Sequence, residues 1–308
     1  MKLRLALLAA ILLTSLAGFA QSAPAHPEML VSTGWLADHL NDPKVVILHV
    51  AEKRSDYDEG HIPGARYFGF DDFMDVHAPK QYELPTPEKL KAVLEALGVS
   101  DDTRVILYTQ DWFPWASRAW FTMAYLGHGD RAALLDGGYK QWINEKRATT
   151  KDAPAAAAKG NFTPHPHPEL VATMDQVKTL SNAGGNDGRL FLVDARSGKR
   201  YNDGHISGAS SIFWERTVAS KDSPTLLPAD QLRKLWTSEG FKAGEKSISY
   251  CEVGIQASHD YFIAHYVGFD AAMYDGSVHE WSMIERQPYV KGSAKVGPLV
   301  QSMGDMMK

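Results

Sequence analysis

The sequence predicts an α/β protein of two tandem domains, each a mainly parallel central sheet flanked by helices. Three observations carry that reading. The chain has 308 residues, long for one hydrophobic core and sufficient for two. A six-residue block occurs twice, as Gly60-His61-Ile62-Pro63-Gly64-Ala65 and as Gly204-His205-Ile206-Ser207-Gly208-Ala209, 144 residues apart. Around each copy, short apolar runs alternate with segments of helical periodicity, which at this spacing builds a parallel sheet through crossover connections.

The elements follow in the same order in both halves. A strand precedes each block: Val45-Val46-Ile47-Leu48-His49-Val50 in the first half and Leu190-Phe191-Leu192-Val193-Asp194 in the second. A Leu-Pro pair then opens a helix, at Leu84-Pro85 and again at Leu227-Pro228, 143 residues on. Apolar residues at helical spacing continue each one, Leu90, Val93, Leu94 and Leu97 in the first, Leu232, Leu235 and Trp236 in the second. Two further strands, Arg104 to Tyr108 and Lys246 to Tyr250, come next. Leu134-Leu135-Asp136-Gly137-Gly138 then matches Met273-Tyr274-Asp275-Gly276-Ser277, and Trp142 matches Trp281, 139 residues apart. The slowly falling offset locates small length differences in the loops. These landmarks bound a first domain at 28–147 and a second at 169–290, with a tail at 291–308.

Residues 148–168 join the halves. The stretch is Pro-rich and poor in large apolar side chains, so it reads as an exposed, fairly stiff linker. His165 and His167 alternate with prolines that hold them extended, and no partner ligands accompany them, so no metal site is expected there.

The N-terminus predicts export. Lys2 and Arg4 precede an apolar run from Leu5 to Ala17, and small residues follow at Gly18 and Ala20. That is the order of a cleaved signal peptide, assigned to 1–20. No later segment reads as a membrane span, so the mature protein is expected to be exported, periplasmic or secreted, and free of the membrane after cleavage. A net charge of −5 argues against nucleic acid. There is one cysteine, Cys251, so no intramolecular disulfide is possible. In an exported protein a free thiol is a liability unless it is buried or used.

Cys251 directly follows the strand ending at Tyr250 and opens the segment Cys251-Glu252-Val253-Gly254-Ile255-Gln256-Ala257-Ser258. A helix is expected from Ser258 to Val267. In open α/β sheets ligands bind beyond the carboxyl ends of the strands. A cysteine in a short loop there, over a helix N-terminus, has loop N–H groups and the positive end of the dipole to favour a thiolate. Gly254 permits a tight loop. The plain alternative is a buried cysteine at a strand end.

Taken together, the paired Gly-His-Ile-x-Gly-Ala blocks, Val193-Asp194-Ala195-Arg196, the Cys251-x-x-Gly254 loop and the Asp275-Gly276-Ser277 to Trp281 segment resemble the rhodanese family. The whole is similar to its two-domain thiosulfate and 3-mercaptopyruvate sulfurtransferases over residues 29–285. The resemblance implies that Cys251 attacks the sulfane sulfur of a small anionic donor, carries it as a persulfide and hands it to a thiophilic acceptor such as cyanide. This is covalent catalysis with ping-pong kinetics and no cofactor. It implies that Glu252, Val253, Gly254, Ile255, Gln256 and Ala257 form the active-site loop, whose backbone N–H groups stabilise the outer sulfur. Arg200 is implied to contact the donor, since a guanidinium suits a sulfonate or carboxylate. Arg196 is expected to pair with a carboxylate and organise the domain. The first half has Thr109-Gln110-Asp111 where the second has Cys251, so it is expected to be non-catalytic. Trp112, Phe113 and Trp115 are candidates for the domain interface or the core. His61 and His205 share a repeated position, for which a structural role is the default.

The loop departs from the family's patterns. Thiosulfate-type members carry basic residues after the cysteine and mercaptopyruvate-type members carry Cys-Gly-Ser-Gly, where this chain has Glu252 and Val253. A carboxylate there repels a dianion unless it is paired or turned away. Cysteine phosphatases sharing this fold need an arginine six residues after the cysteine, where Ala257 stands. A non-enzymatic persulfide carrier serving a protein partner is the remaining alternative. Both domains lie in one chain, so a monomer is expected.

Overall fold

A computed structural model describes residues 23–76, 82–110 and 112–292. The signal peptide assigned to 1–20 and positions 293–308 of the tail lie outside the described residues, as does Asp111.

The first sheet comprises β1 (Leu30–Val31), β2 (Val45–Ala51), β3 (Arg66–Gly69), β4 (Arg104–Tyr108) and β5 (Ala132–Leu135). All pairs are parallel, in the order β1-β5-β4-β2-β3. The second comprises β6 (Leu190–Asp194), β7 (Ser210–Ser211), β8 (Lys246–Tyr250) and β9 (Asp270–Met273), also all parallel, in the order β7-β6-β8-β9. Val171 makes a single parallel bridge to Met273, in the place where β1 pairs with Leu134. The second sheet thus keeps one bridge of the edge strand that the first builds in full. Central strands are buried on both faces, which is why they read as near-continuous apolar runs.

The repeated Gly-His-Ile block does the same work in both domains. His61 stacks on Tyr57 at 3.8 Å and His205 on Tyr201 at 3.7 Å. Each imidazole Nδ1 lies on the carbonyl of that tyrosine, at 3.0 and 2.9 Å. The following N–H, of Ile62 or Ile206, donates to the hydroxyl of the tyrosine ending β4 or β8, Tyr108 or Tyr250, at 3.1 and 3.0 Å. The motif therefore fastens a loop to the sheet.

Helices Phe113–Tyr125 and Ile255–Tyr266, which follow the loops after β4 and β8, pack together. They are buried on nearly every side, and one apolar core runs through both domains across them. Several polar groups in this seam are paired across it, while the buried Asp260 carboxyl on the second helix has no hydrogen-bond partner among the described residues. His259 lies between Ser117 Oγ at 2.8 Å and Thr217 Oγ1 at 2.7 Å. Burial lowers its pKa to about 3, so the ring is neutral and takes one bond as donor and one as acceptor. Each domain also lends an aspartate to the other. Asp136 Oδ1 accepts from Leu226 N–H at 2.9 Å, and Asp275 Oδ2 accepts from Leu84 N–H at 3.0 Å.

The stretch 148–168 is extended and largely exposed, and it is also fastened to the first domain. Thr150 exchanges backbone hydrogen bonds with His61, Asn161 accepts from Asp101 N–H, and Phe162 is buried. Among the described residues no helix is long and apolar enough to cross a membrane.

Candidate active site

The parallel sheet delivers Cys251 at the carboxyl end of the central strand β8, where its side chain is almost wholly buried. The loop that follows is shorter than the sequence suggests. The helix begins at Ile255 rather than Ser258, because Gly254 turns the chain through the left-handed region, φ 82°, and residue 255 can enter the helix at once. Ile255, Gln256 and Ala257 are therefore the first helical residues, whose N–H groups have no partner within the helix. The N–H groups of Gln256 and Ala257, with that of Val253, lie around the Cys251 sulfur and act to lower its pKa.

The cradle is held from behind. Cys251 N–H donates to Ser277 Oγ at 3.1 Å, Val278 N–H donates to Cys251 O at 3.0 Å, and His279 N–H donates to Glu252 O at 3.0 Å. Gly254 packs so closely that a Cβ would lie 2.5 Å from Asp275 Oδ1 and 2.9 Å from Arg118 Nη1. Arg118 comes from the first domain and pairs with Asp275 at 2.5 and 3.1 Å, both side chains buried.

Burial pushes the Cys251 thiol above its ordinary pKa. The three N–H groups pull the other way, and the Glu252 carboxylate adds to the rise. The donors expected to favour a thiolate are present, but desolvation outweighs them. The arrangement can stabilise negative charge on a sulfur once a reacting group brings it.

Arg196 forks onto Asp194, with contacts of 2.7 and 2.9 Å, and donates to Gly204 O at 2.7 Å. Tyr250 OH donates to the same carboxylate at 2.8 Å. The arginine thus organises the strand ends, as the sequence suggests. Glu252 Oε1 lies 3.4 Å from Arg196 Nη1 and 3.8 Å from Arg200 Nε. The Glu252 carboxylate next to Cys251 thus faces two guanidiniums. Arg200 itself is 67% exposed.

Superposing the repeat explains why the first domain carries no such centre. Thr109 stands in the place of Cys251, Trp112 in that of Gly254, and Pro114 in that of Gln256. The first loop lacks the thiol, the left-handed turn and one N–H donor, since proline has none. His49 stands where Asp194 does, buried and without a hydrogen-bond partner, its pKa lowered to about 3 by burial. Trp112 meets Trp214 of the second domain edge-on at 6.0 Å, so this residue lies in the interface.

Sequence reasoning missed Ser277 and Arg118. Ser277 had a signal. It breaks the repeat where the first half has Gly138, and both residues are left-handed, φ 50° and 55°. Arg118 had none, because its partner lies in the other domain.

A family model for the rhodanese-like domain matches residues 32–145 and 173–284. The chain belongs to the rhodanese family. Rhodanese relatives span nearly its whole described length. A sulfur carrier protein of Thermus thermophilus, TtuD, is 33% identical over 87% of this chain and 98% of its own. Among solved structures, the 3-mercaptopyruvate sulfurtransferase SseA of Escherichia coli superposes with a TM-score of 0.72 at 26% identity, covering 81% of this chain and 98% of that one. An anaerobic ergothioneine biosynthesis enzyme of Chlorobium limicola, solved with trimethyl histidine, reaches 0.71 at 25% identity, covering 87% and 71%. The rhodanese fold is therefore shared with sulfurtransferases and with other enzymes.

Proposed function

We propose that the protein is a sulfurtransferase that moves a sulfane sulfur from thiosulfate or 3-mercaptopyruvate to a thiophilic acceptor such as cyanide, through a persulfide on Cys251. The observation that carries the reading is the set of three backbone N–H groups, from Val253, Gln256 and Ala257, converging on one buried sulfur at a strand end. With thiosulfate, the Cys251 thiolate attacks the outer sulfur, the S–S bond breaks, and sulfite leaves with the electron pair. Cyanide then attacks the outer persulfide sulfur and departs as thiocyanate, restoring the thiolate. In both steps charge rests on sulfur, where preorganised N–H donors stabilise it without reorganising. Arg200 is the exposed cation beside the loop and takes the anionic end of the donor in this reading. The first domain walls and braces the site, and the reaction needs no cofactor. Export by the segment 1–20, to the periplasm or beyond, and a monomeric state belong to the same proposal.

The test compares sulfur transfer from each donor to cyanide in the wild type and in Cys251→Ser. Activity that disappears in the variant supports the reading, and wild-type turnover no faster than the variant overturns it. The alternative is a carrier that loads sulfur and discharges it only to a protein partner. The resemblance to the Thermus sulfur carrier favours it. A Cys251 persulfide that forms but resists cyanide would select the carrier.

A further inference from the structure

Beside the nucleophile, the loop presents a matched pair of opposite charges. Arg196 is 4% exposed and already bonded to Asp194 and to the Gly204 carbonyl. It also reaches Glu252 Oε1 at 3.4 Å, so it is structural, and little of its charge is open to a ligand. Arg200 and Glu252 differ. They are 67% and 39% exposed, and 3.8 Å apart. At that exposure and distance the pair is loosely held and readily opened by a ligand. Glu252 follows Cys251 directly in the chain, and its charge is felt at the thiol. A doubly charged donor bound at Arg200 has this carboxylate close beside it.

We infer that Arg200 and Glu252 form a head-group site for a zwitterionic sulfur donor, an α-amino-acid persulfide of the cysteine type, whose carboxylate pairs with Arg200 and whose ammonium pairs with Glu252. The inference rests on the sulfurtransferase reading and names its donor class. An ammonium and a carboxylate on one Cα are roughly 3 Å apart, the scale of the separation between the two protein groups. Such a donor opens the Arg200–Glu252 pair and gives each group an opposite charge, Glu252 keeping Arg196 at 3.4 Å, whereas a dianion satisfies Arg200 and sets like charge beside Glu252. The donor's two sulfurs extend from Cβ, so a head group at residue 252 leaves the outer sulfur within reach of residue 251.

The step balances. The Cys251 thiolate attacks the outer sulfur of the persulfide and a new S–S bond forms. The donor's own S–S bond breaks, and cysteine leaves as its thiolate carrying the electron pair. The proton on the outer sulfur stays with it, and no oxidant or reductant is consumed.

The experiment measures the rate at which the mature protein gains one sulfur at Cys251, by intact mass, from cysteine persulfide, N-acetylcysteine persulfide and thiosulfate. The first two share the same reacting sulfurs and differ in the ammonium. Cysteine persulfide is expected to load roughly fivefold faster than its N-acetyl counterpart, and Glu252→Gln to bring that ratio near one while raising the relative rate with thiosulfate. An equal rate for the two persulfides in the wild type, a ratio unmoved by Glu252→Gln, or a wild-type preference for thiosulfate overturns the assignment. If none of the three donors loads Cys251, the sulfurtransferase reading itself falls, and the assignment with it.

Discussion

Arg118 of the first domain and Asp275 of the second form a buried, two-pronged ion pair against which the Gly254 turn of the Cys251 loop is packed. The domain without the cysteine thus supplies a brace for the one that has it. Arg118→Met leaves Asp275 buried without its countercharge. A loss of about 3–5 kcal/mol is expected in urea unfolding, with Asp275→Asn in the same background recovering part of it.

Gly254 carries two constraints at once, a left-handed φ of 82° and no room for a Cβ. Gly254→Ala is expected to retilt the N–H groups of Val253 and Gln256 away from the sulfur. Loss of preorganised donors of this kind costs on the order of 10²-fold in kcat. Steady-state sulfur transfer with an unchanged far-ultraviolet circular dichroism spectrum would show it.

The thiol should titrate high. Burial disfavours the thiolate, so the alkylation rate of Cys251 is expected to rise only at pH values above those of an ordinary cysteine. Glu252→Gln removes the nearby negative charge and should move the profile toward lower pH. A pH series with iodoacetamide, which is neutral, reads both effects.

Asp136, in the domain seam, has its pKa raised to about 6 by burial, against the pull of the Leu226 and Gly137 N–H groups. A carboxyl raised above its unfolded value, about 4, contributes stability below that pH and loses it as pH rises through 6. Asp136→Asn keeps an acceptor for Leu226 and removes the charge. It is expected to stabilise the protein by about 2 kcal/mol at pH 7 and to flatten the stability profile between about pH 4 and 6. Thermal unfolding over that range checks it.

Much of this was legible in the sequence because it is local. Short apolar runs and helical patterns give the order of strands and helices, and the doubled Gly-His-Ile block gives the tandem plan. Cys251 stands out as the lone thiol at a strand end. The helix start at Ile255 was not legible, since Gly254 leads into it without the usual Ser, Thr, Asp or Asn side-chain cap. The fastening of 148–168 rests largely on backbone hydrogen bonds, and Phe162 was its one large apolar side chain to read in the sequence. Arg118 and Asp275 are 157 positions apart and meet only when two domains close, which no single-sequence periodicity reports. The balance between burial and hydrogen bonding at the sulfur is likewise a property of the packed state.

The central claim is that sulfur passes through Cys251. The direct measurement is the mass of the protein after brief exposure to a sulfane donor, followed by peptide mapping and then by addition of cyanide. The account expects one added sulfur on the peptide carrying Cys251, its loss on cyanide treatment with release of thiocyanate, and neither event in Cys251→Ser. Thiocyanate formed at the wild-type rate by Cys251→Ser, or turnover with no sulfur ever found on that peptide, would contradict it.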